Sequence, residues 1–320
     1  MQSLLAGALS FIAALASGAA WAAYPERPVT IVVPFAPGGA NDVVVRAIQQ
    51  PLADALGQPV VIENRGGAGG SVGAAFAARA RPDGYTLLMA ATGFVVNPSL
   101  YDKVAYDPVK DFEAVAELTT FPVIYTVRPE LGISTMPEFI AHARARPGVL
   151  NYSTPGAGTL PHLATELLKL HTGIDMVHIP YPGAAPAAQA LLSKTVDIAS
   201  ISISVAKPQI QAATMKGLAV SGGERWPELP DVPTIAEAGV PAALADTWQG
   251  IVVPAGTPKE AVDRLAQALT EVMRRPDLRE RLLNAGFHST GRGPADFRAR
   301  IVDEVPKWKD VIQRARITAQ

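Results

Sequence analysis

Beyond the first two dozen residues, apolar positions alternate between short continuous runs and helical spacing. Val29 to Pro34 is a β-branched run that stops at the loop Phe35-Ala36-Pro37-Gly38-Gly39-Ala40. Val45, Ile48, Leu52 and Leu56 then recur at helical intervals, with Asn41 or Asp42 placed to cap the helix. Val60 to Glu63 is a second strand, and the Gly-rich turn Asn64 to Gly70 leads into an Ala-rich helix, Ser71 to Ala80. Pro82-Asp83-Gly84 is a turn before a third strand, Tyr85 to Ala90. Continuous apolar strands alternating with helices predict a parallel sheet covered on both faces.

A second round follows. Strands are expected at Phe121–Val127, Leu150–Ser153, Met176–Tyr181, Val196–Ile203 and Gly217–Ser221. Helices are expected at Met136–Arg146, Leu160–His171 (with Thr159 as cap) and Pro186–Leu192. A Pro-rich connector, Trp226 to Pro241, precedes a strand at Gly250–Pro254 and amphipathic helices at Lys259–Arg274 and Asp296–Arg314. This order predicts two α/β lobes: residues 23–124 with 246–320, and residues 125–245. Hinge points are expected near Thr126 and Trp248.

Residues 1–22 break the pattern. They carry no charged side chain, are apolar from Leu4 to Ala20, and end in the small-x-small sequence Ala20-Trp21-Ala22. That reads as an export signal cleaved near Ala22, although no Lys or Arg precedes the apolar run. A periplasmic destination is expected. Later stretches are too short in apolar length to span a bilayer.

Composition narrows the chemistry. With 28 basic and 29 acidic residues the net charge is −1, which disfavours nucleic-acid binding. The absence of cysteine excludes disulfides, thiolate catalysis and Cys-ligated metals. The five histidines do not fall at metal-ligand spacing, and neither a nucleophile elbow nor a phosphate loop is present. Gly67 to Gly73 follows a strand and opens a helix, but its spacing departs from the dinucleotide fingerprint and no acidic residue follows about 20 positions on. It reads as a tight turn with close helix packing. Neither enzyme activity, metal nor cofactor is expected.

Two other loops share one design. Phe35-Ala36-Pro37-Gly38-Gly39 and Thr154-Pro155-Gly156-Ala157-Gly158-Thr159 each follow a strand and run into a helix N-terminus, where free amides favour an anion. One loop lies in each lobe, so a cleft between them could hold a molecule with two carboxylates. Spacing alone leaves two ordinary Gly turns as an equal alternative.

Seven segments lift that ambiguity: YPERPVTIVVPFAPGGAND (24–42), ENRGGAGG (63–70), PDGYTLL (82–88), YSTPGAGTLPHL (152–163), HIPYPG (178–183), LPDVPTIAEAG (229–239) and WQGIVVPAGTP (248–258). As a set, spread over the whole mature chain, they strongly resemble the tripartite tricarboxylate transporter substrate-binding proteins, the Bug family. The resemblance implies a two-lobed periplasmic binding protein of type II, a Venus flytrap with a mostly parallel sheet in each lobe. It implies a small carboxylate or dicarboxylate ligand, delivered by a monomer to membrane transporter subunits or presented to a membrane sensor. The ligand residues it implies are Phe35, Ala36, Pro37, Gly38, Gly39, Thr154, Gly156, Gly158 and Thr159, with Thr92 and Gly93 as a further wall and Ser200 toward the distal end. His162 matches a family histidine that braces the loop more readily than it touches ligand. Ala190 stands where the family usually has an acidic residue, Lys194 at a common Gly, and Ile201 near a usual polar position. Lost acidity there favours a plain or apolar-tailed carboxylate over an amine-bearing one. An exported enzyme remains the rival class.

Overall fold

The structure, a computed structural model, describes residues 24–318; the expected leader lies outside them. Strands β1 (Val29–Val33), β2 (Val60–Asn64) and β3 (Thr86–Ala91) alternate with helices α1 (Ala40–Leu56) and α2 (Ser71–Ala78). β2, β1 and β3 pair in parallel, as the apolar runs predict. Helix α3 (Gly93–Leu100) then leads to β4 (Phe112–Val127), 16 residues long and more than twice the span its apolar pattern suggested.

The second lobe holds α4 (Met136–Arg144), β5 (Asn151–Thr154), α5 (Leu160–Thr172), β6 (Val177–Pro180), α6 (Ala184–Leu192), β7 (Ile198–Ser202), α7 (Ile203–Gln211) and β8 (Lys216–Val220). The chain returns through β9 (Asp246–Pro254) to α8 (Lys259–Arg274), α9 (Pro276–Asn284), β10 (His288–Arg292) and α10 (Pro294–Ala315). The sheets are mixed. β9 and β10 pair antiparallel with β4 over its first part, and β7 and β8 pair antiparallel with its last part. Antiparallel pairing follows from connectivity: β4 carries the chain out to the second lobe and β9 brings it back. The partners of β4 change between Pro122, which faces Asp246, and Val123, which faces Ser202.

Each sheet is covered on both faces by apolar clusters. One cluster crosses between lobes: Leu160, Leu163, Ala164 and Leu167 of α5 are buried with Phe94, Trp248 and Trp308. Gly250 on β9 has no room for a side chain, because a Cβ there would sit 2.7 Å from the Ala116 carbonyl and inside the Phe297 ring. Beside it, half-buried Arg300 pairs with Glu117 at 3.0 Å, Glu304 at 2.9 Å and Asp246. Glu304 also accepts from the indole nitrogens of Trp248 (2.8 Å) and Trp308 (3.1 Å). Among the described residues no helix is long and apolar enough to cross a membrane.

Candidate functional site

The first loop is organised from within its helix. α1 starts at Ala40, so Asn41 and Asp42 occupy its first turn; Gly39, and neither of them, is the N-cap. The buried Asp42 carboxylate accepts from the Gly38 amide at 2.8 Å, Arg46 Nε at 2.7 Å and Asn64 Nδ2 at 3.0 Å. Asn64 Nδ2 also reaches the Phe35 carbonyl at 3.1 Å. The Arg46 hydrogen bond, with those from Gly38 and Asn64, outweighs burial and lowers the Asp42 carboxyl to about 2. The Gly38 amide is therefore committed to the protein's own anion.

The second loop repeats this device with a different acceptor. The Gly158 amide donates to His162 Nδ1 at 3.1 Å, and His162, like Asp42, is the third residue of its helix. His162 thus braces the loop. Its ring stacks on His178 (centroids 3.8 Å apart, 14° between planes), and His178 stacks on Tyr152 at 4.8 Å. The Tyr152 hydroxyl donates to Glu166 at 2.5 Å, and Thr154 Oγ1 lies 2.7 Å from His178 Nε2. Burial first, then the Lys169 charge, pushes His162 down to about 4. Burial, followed by His162 beside it, does the same to His178. Both rings are neutral at pH 7. Thr159 is the N-cap of α5 by position, but its hydroxyl turns back to the Gly156 carbonyl at 2.7 Å and caps no helix amide.

A third helix start joins these two. Thr92 precedes α3, and its hydroxyl oxygen accepts from the Trp248 amide at 3.1 Å. The O–H hydrogen is left free to donate. Asn97 Nδ2 ties α3 to the Gly-rich turn through the Gly69 carbonyl (2.9 Å) and Ser71 Oγ (3.1 Å). The tight packing expected of that turn is present: a Cβ on Gly73 would lie 2.8 Å from both Pro34 and the Arg65 carbonyl.

The N-termini of α1, α3 and α5 open on one cavity of about 450 Å³. Of the residues implied by the sequence, Phe35, Gly39, Thr92, Gly93, Gly158 and Thr159 line it. Ala36, Pro37 and Gly38 are exposed and off its wall, and Thr154 and Gly156 of the second loop are also off the wall and bond each other at 3.2–3.3 Å. Ser200 is fully enclosed, its hydroxyl without a partner, and does not reach the cavity wall. Ala190 and Ile201 pack in the second lobe's apolar core. Sequence reasoning missed Asn41, Val96, Asn97, Leu100, Tyr101, Phe121, Leu163 and Thr247, all on the wall. Among the described residues, no charged side chain and no histidine lines the cavity.

Residues 44–317 match the family model described as the tripartite tricarboxylate transporter family receptor. A UPF0065 protein in the tcbD-tcbE intergenic region of Pseudomonas sp. (strain P51) is 36% identical over 298 residues, covering 93% of this chain and 89% of that protein. A Rhodopseudomonas palustris protein solved with adipate superimposes with a TM-score of 0.74 at 34% identity, covering 92% of this chain and 99% of that one. MatC of the same organism, solved with bound malate, gives 0.71 at 35% identity, covering 90% and 100%.

Proposed function

The chain belongs to the tripartite tricarboxylate transporter receptor family of periplasmic solute-binding proteins, and from that premise we propose how its cavity holds a small carboxylate. One observation carries the reading: three helix N-termini meet at a cavity whose wall has no charged side chain. Unpaired first-turn amides and the positive ends of helix dipoles stabilise an anion there without Lys or Arg. The ligand contacts are the first-turn amides behind Gly39, the Thr92 hydroxyl and the Gly93 amide, with Phe35, Gly158 and Thr159 closing around the molecule.

The lobes, residues 23–124 with 246–320 and residues 125–245, close by bending where β4 changes partners at Pro122 and Val123. Ligand shifts this equilibrium by touching both lobes only in the closed form. The closed monomer then docks on membrane transporter subunits. The mature chain begins near Ala23, after removal of the leader. The test is a thermal-shift and calorimetric panel of carboxylates, each run beside its amide. Carboxylates raise the melting midpoint by mass action and their amides do not. Equal shifts from both, or turnover of a bound ligand, would refute the reading.

A further inference from the structure

Taking the carboxylate reading as its basis, we infer that Leu100 is the residue that sets ligand length: its side chain stops the cavity at the end farthest from the start of α3. One face of α3 forms the floor. Gly93, Val96, Asn97, Leu100 and the adjoining Tyr101 line the cavity, while Phe94 and Val95 between them are buried in the apolar core. Steps of three and four residues put those five on one side of a helix, one turn after another along its axis. Gly93 and Leu100 are the first and last residues of α3, so at 1.5 Å per residue the floor is about 10 Å long.

At its far end two consecutive side chains reach different ways. Leu100 crosses to the second loop, where a Cβ on Gly158 would stand 2.8 Å from its Cδ2. Tyr101 turns back to the Gly-rich turn, where a Cβ on Gly69 would stand 2.9 Å from its hydroxyl. Gly69 and Gly158 both line the cavity, so the pair walls it from one loop to the other. Leu100 also packs against the apolar cluster that holds Leu160 and Leu163 of α5, which keeps its side chain across the gap. The wall is thin, because Asp102 and Lys103 directly after it are exposed. A ligand longer than the floor must push Leu100 out of its packing. Shortening Leu100 opens that end toward solvent, where the far carboxylate of a long diacid keeps its water.

Straight-chain α,ω-dicarboxylates differ only in length, so calorimetry of the full mature chain with succinate, adipate, suberate and sebacate reads the stop directly. Sebacate is expected to bind the unaltered protein at least tenfold more weakly than the tightest of the three shorter acids. Leu100→Ala should recover at least tenfold for sebacate and leave that tightest shorter acid within threefold. Leu100→Phe should move the profile the other way, toward shorter acids. Either variant that keeps the native far-UV spectrum suffices for the comparison. Sebacate binding the unaltered protein as tightly as the shorter acids overturns the inference and leaves the carboxylate reading intact. One length profile shared by the unaltered protein and both variants does the same. Failure of all four acids, with no shift from any carboxylate in the wider panel, brings down both.

Discussion

Alanine at Gly39 and at Gly158 should have unequal effects, although the two loops look equivalent as sequence. Gly158 has φ +71°, where an L-residue costs about 1–2 kcal/mol. Its added Cβ would stand 2.8 Å from Leu100 Cδ2, the flexible end of a side chain that can swing aside without unfolding the loop. Gly39 has φ −75° and ψ 170°, open to any residue, and its Cβ would approach nothing closer than the Ala36 carbonyl at 3.4 Å. Alanine there restricts the unfolded chain, a gain of about 0.4–1 kcal/mol, but replaces a preferred N-cap residue at a cost of similar size, so the net effect is near zero. The two variants should therefore differ by about 1–2 kcal/mol, the left-handed strain at position 158. Urea denaturation of each variant, with the slopes confirmed equal, measures the gap. Adding Leu100→Ala to Gly158→Ala separates the steric share, which it relieves, from the backbone share, which it leaves. A gap below about 0.5 kcal/mol, within the scatter of neutral substitutions, would refute this account of the second loop.

Lys194 stands at φ +65°, and its ion pair with Glu130 at 3.2 Å joins two largely exposed side chains. Lys194→Gly should raise stability by about 0.5–1 kcal/mol, the left-handed strain relieved less the extra freedom of the unfolded chain; a lower urea midpoint would contradict it. His162 falls from its ordinary 6.5 to about 4 on folding, so the native chain binds fewer protons than the unfolded one. Its contribution is complete above pH 6.5 and is lost as pH drops toward 4, by roughly 3 kcal/mol at most. Melting midpoints between pH 4 and 7 should decline less steeply in His162→Gln, and superimposable profiles would exclude His162 as the group responsible.

Where periodicity was strong the elements were legible. The run Val29 to Pro34 and the helical series Val45, Ile48, Leu52, Leu56 became β1 and α1 because each buries a face along its whole length. Helix α3 escaped notice because Gly-Phe-Val-Val-Asn-Pro-Ser-Leu is apolar on every side and contains Pro98, so no face stands out. Strand β10, His288 to Arg292, has no apolar alternation; it exists because β4 presents an edge to pair with. The first part of β4 was hidden similarly, since Glu117, Thr119 and Thr120 interrupt its apolar run yet are buried against Arg300, Gln249 and β10.

The site divides along the same line. By itself the sequence determined two Gly loops before helices, both without Lys or Arg, and the family, because loop chemistry and helix starts are local properties of the chain. Which amides remain free was decided only by the tertiary structure. Asp42 and His162 each take one glycine amide, since folding carries a side-chain acceptor back over its own loop. Asn41 Oδ1 is held by Gln249, itself held by Thr119, positions more than 200 and 70 residues away, while its Nδ2 is enclosed without a partner. The apolar wall likewise needs α3 from one lobe and α5 from the other. Which loop amides stay free is a sum over the contacts of each loop, and only the fold makes that sum.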